Sequence, residues 1–117
     1  MSDDKKIAVY CQELVLNDVL YSTEYQKQMV ISFIKQHHYD FNDVIYYIDQ
    51  MDSFGNAYPK NRTNLIIDIQ HNKIKMVIVF KFLFLNLKEK DRIKFIDSLT
   101  SRGIQLQVVN EPNYKNI

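Results

Sequence analysis

Apolar residues in this chain fall into short runs separated by longer amphipathic stretches. Ile7-Ala-Val-Tyr10 is a run of β-formers too brief for a helix, and it predicts a first strand. Residues 12–21 are mixed. Ser22-Thr-Glu-Tyr-Gln26 then offers a capping hydroxyl, an acid in the first turn and Gln26 three residues after Thr23, which marks a helix start. Its stripe of Tyr25, Met29, Val30, Phe33 and Ile34 is expected to face a sheet, with His37 and His38 near its carboxyl end.

Val44-Ile-Tyr-Tyr-Ile48 is apolar at every position, the pattern of a strand covered on both faces. Residues 49–61 include Gly55 and Pro59 and read as a long loop. A second helix is predicted from about Asn61 to His71, with Leu65, Ile66 and Ile69 on its inner side and a left-handed Asn72 ending it. Met76-Val-Ile-Val-Phe80 is the most hydrophobic strand and is expected at the centre. Asn86 with Glu89 three residues on predicts a third helix, striped by Ile93, Ile96 and Leu99 and ended by Gly103; Ile104 to Val109 makes the last strand.

Strands alternating with helices imply parallel pairing through right-handed crossovers. The expected fold class is therefore α/β: three layers, a mainly parallel four- to five-stranded sheet, and helices on both faces. Ligands of such sheets sit beyond the carboxyl ends of the strands. Here those ends lead into residues 11–21, 49–62, 81–88 and the stretch after 109.

Composition narrows the function. With 117 residues, 46% hydrophobic and 25% charged, one domain with about two-thirds of its surface buried is expected. Fifteen basic residues against 14 acidic ones leave a formal +1, unlike a protein that blankets nucleic acid with charge. The lone Cys11 has no intramolecular disulfide partner, and the acidic start MSDDKK does not read as a secretory signal, so a cytoplasmic location is expected. The apolar stretch from Met76 to Leu87 is broken by Lys81 and Asn86 and is too short to span a membrane. Neither GxGxxG nor GxxxxGK[ST] occurs, and no cofactor is expected.

Single residues invite chemistry but have plainer readings. Cys11 suits a small buried hydrophobe better than a nucleophile. Ser22 suits a helix cap and Ser53 a loop hydroxyl. His37 and His38 are adjacent, about 100° apart on a helix, and with Asp40 they do not make a metal set, so no metal site is expected. Arg62 and Lys60, with Lys73 and Lys75, are a weak candidate for DNA contact. Phe82, Phe84 and Leu87 sit at the ligand end of the sheet, where polar groups are usual; they are either extra core or an interaction patch.

The order of segments carries a resemblance. IAVYCQE, Ser22-x-Glu24-x-Gln26 on a helix, YYIDQ, a glycine-containing loop, Asn61-Arg62 opening a helix, NKIKMVIVFK and NLKEKDRIKFIDSLTSRGIQLQVVNEP resemble the N-terminal catalytic domain of serine recombinases, the resolvase/invertase family. The likeness covers about residues 5–112, and Tyr10-Cys-Gln-Glu13 is most similar to the large serine recombinases of mobile elements. In that family, strand one ends in Tyr-x-Arg-x-Ser, whose serine attacks a DNA phosphodiester while arginines neutralise the phosphate. Matching positions here hold Tyr10, Gln12 for the arginine and Leu14 for the serine. The family's Asp-Arg-Leu-Ser/Gly-Arg after strand three is matched by Leu83, Phe84, Leu85, Asn86 and Leu87. Asp49, Gly55 and Arg62 are retained.

A leucine has no nucleophilic atom, and a lost arginine clamp is worth about 10³–10⁵ in a phosphoryl-transfer rate. The resemblance therefore implies a domain without catalytic residues, acting as an interaction or regulatory module of a mobile element such as a phage. The partner implied is an active recombinase or a host protein. The competing expectation is a role in DNA strand exchange, through a displaced residue or as a subunit of an active partner. A receiver-like domain is disfavoured because Phe80-Lys81 stand where an acceptor aspartate belongs. The family continues into a long dimerisation helix and a DNA-binding domain. Residues 1–117 are expected to form one domain with neither, ending in a flexible tail at 110–117.

Overall fold

The computed structural model describes residues 4–55 and 58–110. Its elements are β1 (Lys6–Gln12), β2 (Leu14–Leu16), β3 (Val19–Tyr21), α1 (Thr23–Gln36), β4 (Val44–Asp49), α2 (Lys60–Gln70), β5 (Ile74–Val79), α3 (Glu89–Ser101) and β6 (Gln105–Val108), with short 3-10 turns at Phe41–Asp43 and Phe82–Leu85. The main sheet has the order β4-β1-β5-β6 and every pairing is parallel. This is the predicted α/β sheet, with β5 central beside β1.

Alternation along the strands splits the core in two. Ile7, Val9 and Cys11 of β1 pack with Ile78, Phe80 and the α1 residues Val30 and Ile34. Ala8 and Tyr10 face the other way, against Leu65 and Ile69 of α2 and Phe95 and Leu99 of α3. Helices thus cover both faces. In β5 the alternation slips once: Ile74 shares a face with Val77 and Val79 because the β1 register shifts between Lys6 and Ile7.

Helices α1, α2 and α3 end alike. His38 (φ 58°), Asn72 (φ 59°) and Gly103 (φ 67°) are left-handed, and each is followed by an amide bonded back to the last turn: Tyr39 N to Ile34 O, Lys73 N to Asp68 O, and Ile104 N to Leu99 O. These are Schellman closures. The Ser22 cap also forms, its Oγ accepting from Tyr25 N at 3.1 Å.

Several expectations are corrected. Residues 12–21 contain a β-hairpin, Leu14–Leu16 against Val19–Tyr21, turned by Asn17 and Asp18, both at positive φ as a two-residue turn demands. β4 is an edge strand rather than a doubly covered one, and Ile45 is exposed. Asn86 does not cap α3: it is left-handed (φ 52°), and the helix begins at Glu89 after an extended Lys88. The α3 face turned inward is Phe95 and Leu99, with Ile96 at its margin, while Ile93 is 55% exposed. Asn110, just past β6, donates to Phe80 O at 2.8 Å and is held against the end of β5; the rest of the expected tail, 111–117, lies outside the described residues.

Candidate functional site

Parallel pairing sets Gln12 opposite Asp49 at the carboxyl end of the sheet. Both are buried, and they share Tyr10. The Tyr10 phenol lies 2.6 Å from Asp49 Oδ2 and 3.0 Å from the Gln12 amide. A phenol has one proton, and the carboxylate is the stronger acceptor. The Gln12 amide atom facing Tyr10 is therefore best assigned as the Nε2 donor, since the opposite orientation leaves a buried Nε2 with no partner. Burial, and then the bond to Asp49, push the Tyr10 pKa well above the ordinary phenol value, so the phenol keeps its proton.

Asp49 has a second task. Its Oδ1 accepts from Asn61 N and its Oδ2 from Arg62 N, each at 2.9 Å. Pro59 precedes α2 and supplies no side-chain cap, so a carboxylate from the end of β4 caps that helix from across the fold. Asn61 Nδ2 returns the contact by donating to Ile48 O at 2.7 Å. Arg62 spends both protons of Nη1 on backbone carbonyls, Leu85 O at 2.8 Å and Asn86 O at 2.7 Å, and so fixes the turn after β5.

In the sequence Gln26 stands as a capping candidate and as part of the Ser22-x-Glu24-x-Gln26 segment, with no sign of its partners. In the fold it is fully buried, accepts from Gln12 N at 3.1 Å, and donates to Gln12 O at 2.6 Å and Tyr21 O at 3.2 Å. One amide thus satisfies both backbone groups of the last β1 residue and ties the hairpin to α1. Glu13 does similar work outside the sheet: its Oε1 accepts from Met51 N at 2.9 Å and anchors the start of the loop after β4.

The structure separates the residues that the resemblance matches to phosphate positions. Leu14 packs toward the α1 side of the sheet, whereas Leu87 packs toward α2 and α3. These two leucines do not meet. Phe82 is 8% exposed and belongs to the core, as does Leu85; the side chains of Leu83 and Phe84 lie outside those the structure describes. Phe82 thus fills space in the core, and the half-buried Leu87 packs at its margin. The hairpin presents open apolar surface at this end: the cross-strand pair Val15 and Leu20, with Val19, is about half exposed.

The basic residues do not form one patch. Lys60 and Arg62 open α2 at the carboxyl end of the sheet, while Lys73 and Lys75 follow that helix at the opposite end. Lys75 Nζ pairs with Asp43 at 3.1 Å, and Lys73 lies 4.0 Å from Asp68. Cys11 is buried on the α1 face, and burial pushes its thiol pKa up to about 12 with Lys27 opposing. It has no thiolate character at neutral pH. His37 stacks on Phe33, centroids 4.0 Å apart, and caps an aromatic cluster with Tyr39. Ser53 sits in the turn closed by Gly55 N to Asp52 O.

No family model and no curated protein matches this sequence. Solved structures do. The N-terminal catalytic domain of TP901-1 integrase superposes with a TM-score of 0.70 at 22% identity, covering 92% of this chain and 78% of that one. A resolvase family site-specific recombinase from Streptococcus pneumoniae gives 0.68 at 17% identity, covering 95% and 78%. The C-terminal catalytic domain of ISC1926 TnpA, an IS607-like serine recombinase, gives 0.62 at 12% identity, covering 89% and 69%. The four-stranded parallel sheet between α1 and the α2–α3 pair is thus the fold of serine recombinase catalytic domains, and this chain is a resolvase-like α/β domain.

Proposed function

We propose that this domain is a catalytically inactive relative of serine recombinases, encoded by a mobile element and working as a protein-interaction or regulatory module. Its partner on this reading is an active recombinase or a host protein. The observation that carries the proposal is the state of the β1 carboxyl end. Gln12, at the family's arginine position, is sealed in the sheet, and Leu14, at the serine position, begins a hairpin with no hydroxyl to offer. Asp49 and Arg62, the retained pair, are engaged in capping α2 and holding the turn after β5. The mobile-element origin is supported by structural neighbours described as an integrase and as the first reading frame of a transposon.

The test is incubation of the purified chain with supercoiled and nicked plasmid bearing the attachment site of its own element, followed by denaturing electrophoresis. No covalent protein–DNA adduct is expected, and its appearance overturns the proposal. A second reading, a subunit of an active recombinase in strand exchange, draws on the retention of Arg62 and Asp49. It predicts that the chain changes the yield of adduct formed by that recombinase on the same plasmid.

A further inference from the structure

A cleft of about 310 Å³ runs between α2 and α3, reaching Arg62 at the carboxyl end of the sheet and Leu87 just before α3. That volume is at the lower end of small-molecule pockets, roughly 300–1,000 Å³. Its floor is apolar, from Ile66, Leu87 and Phe95, and its rim carries Arg62, Lys94 and Asp91. Arg62 is the informative residue. Both protons of Nη1 are committed to Leu85 O and Asn86 O, which fixes the plane of the guanidinium. Nε and Nη2 have no protein acceptor among the described residues, and together they form the side-on fork that matches a carboxylate in bidentate fashion.

We propose that this cleft binds a small amphipathic monoanion, a carboxylate on an aryl or alkyl body. The head takes the Nε/Nη2 edge of Arg62 with Lys94 alongside, and the body lies on Ile66, Leu87 and Phe95. The charge on the rim selects a monoanion: two cations against one carboxylate leave a single net positive charge, and Asp91 repels a polyanion such as a nucleic-acid backbone. The preformed plane of Arg62 lowers the ordering cost of binding, because the two carbonyl contacts already hold the guanidinium.

The full chain, isotopically labelled, is titrated with 2-naphthoate and, separately, with 2-naphthalenemethanol, its uncharged counterpart, by amide NMR. Saturable shifts are expected at Ile66, Leu87 and Phe95 with naphthoate, and binding about tenfold weaker with the alcohol. Lys94→Gln, at an exposed position, weakens naphthoate severalfold, whereas Lys73→Gln, at the far end of α2, leaves it unchanged. Arg62→Lys keeps the charge and removes the fork, and weakens naphthoate further; a melting curve shows whether the variant is still folded. Equal binding of the two probes, shifts that cluster outside the cleft, or no saturable shift overturns the proposal. So does a short DNA duplex that displaces naphthoate, since it assigns the cationic rim to phosphodiesters.

Discussion

Asp49 combines three acceptor contacts that arise from different parts of the chain: the Tyr10 phenol and the amides of Asn61 and Arg62. Removing the carboxylate leaves two helix-terminal amides without an acceptor and takes from the buried phenol its stronger partner, with the Gln12 amide remaining. Asp49→Ala is therefore expected to destabilise the domain by about 2–4 kcal/mol, above the ~1 kcal/mol usual for a single lost cap, because the buried hydroxyl adds its own desolvation cost. Urea unfolding at neutral pH measures it, and Asp49→Asn, which keeps one acceptor, should fall between. Cys11 gives a residue-scale pH dependence. Its thiol titrates near 12 in the fold against an ordinary 9.0, so the unfolded chain loses the proton first. The stability this supplies is complete below about pH 9 and drains away as pH rises toward 12. Tyr10 and Tyr47, both raised by burial and by bonds to Asp49 and Asp68, act in the same direction. Unfolding midpoints should drop steeply on the alkaline side, and at about pH 8 the folded thiol should resist a disulfide reagent that labels it at once in urea. Midpoints independent of pH across the alkaline range count against this burial.

At the scale of the element, a pattern was readable where burial is continuous: on both faces for the apolar runs of β1 and β5, and on one face for the stripe of α2. Helix ends were readable where the residue itself favours a left-handed backbone: Asn72 and Gly103 close α2 and α3 as their types suggest. His38 closes α1 in the same way, but histidine carries a weaker signal for that conformation. Asn86 shows the converse. Its type and the Glu89 spacing spell a cap, yet its carbonyl is held by Arg62 from another helix and its backbone is already turned. The choice between the Ile93 and Phe95 faces of α3 was likewise not local, since both repeat at helical spacing and the docking of α3 on β6 decides between them. The hairpin escaped notice because its strands are three residues long and its turn, Asn17-Asp18, lacks the usual glycine. The three Schellman closures permit a controlled comparison. Gly103→Ala meets no atom within 4 Å, so its cost is purely conformational, about 1 kcal/mol. His38→Gly relieves the same strain and should raise stability by about 0.5–1 kcal/mol, since His38 takes no part in the Phe33–His37–Tyr39 stack. Thermal melts of the two variants, shifting in opposite directions, check both.

For the molecule as a whole, the sheet end was identifiable from sequence as the place to search, but what each residue does there was not. Arg62 and Asp49 looked like remnants of a phosphate site because their types match one; the fold instead engages them with backbone amides and carbonyls contributed by distant segments. No local pattern encodes those partners. This arrangement limits how far the residue types of an active recombinase can be put back. Leu14→Ser places a hydroxyl in the hairpin, where the half-buried leucine now packs against the α1 side of the core. Gln12→Arg is harsher: the position is fully buried, and a guanidinium there has only the Asp49 carboxylate, already shared three ways, to pair with. An incompletely paired buried charge of this kind costs several kcal/mol, comparable to a large part of the total stability of a domain this size. The double variant is therefore expected to unfold at markedly lower urea than the parent and to form no covalent adduct with supercoiled DNA at temperatures where it remains folded. A double variant that stays as stable as the parent and cleaves DNA would mean that the strand end is a working phosphate pocket. The brackets around Asp49 and Arg62 would then be scaffolding for catalysis instead of its replacement.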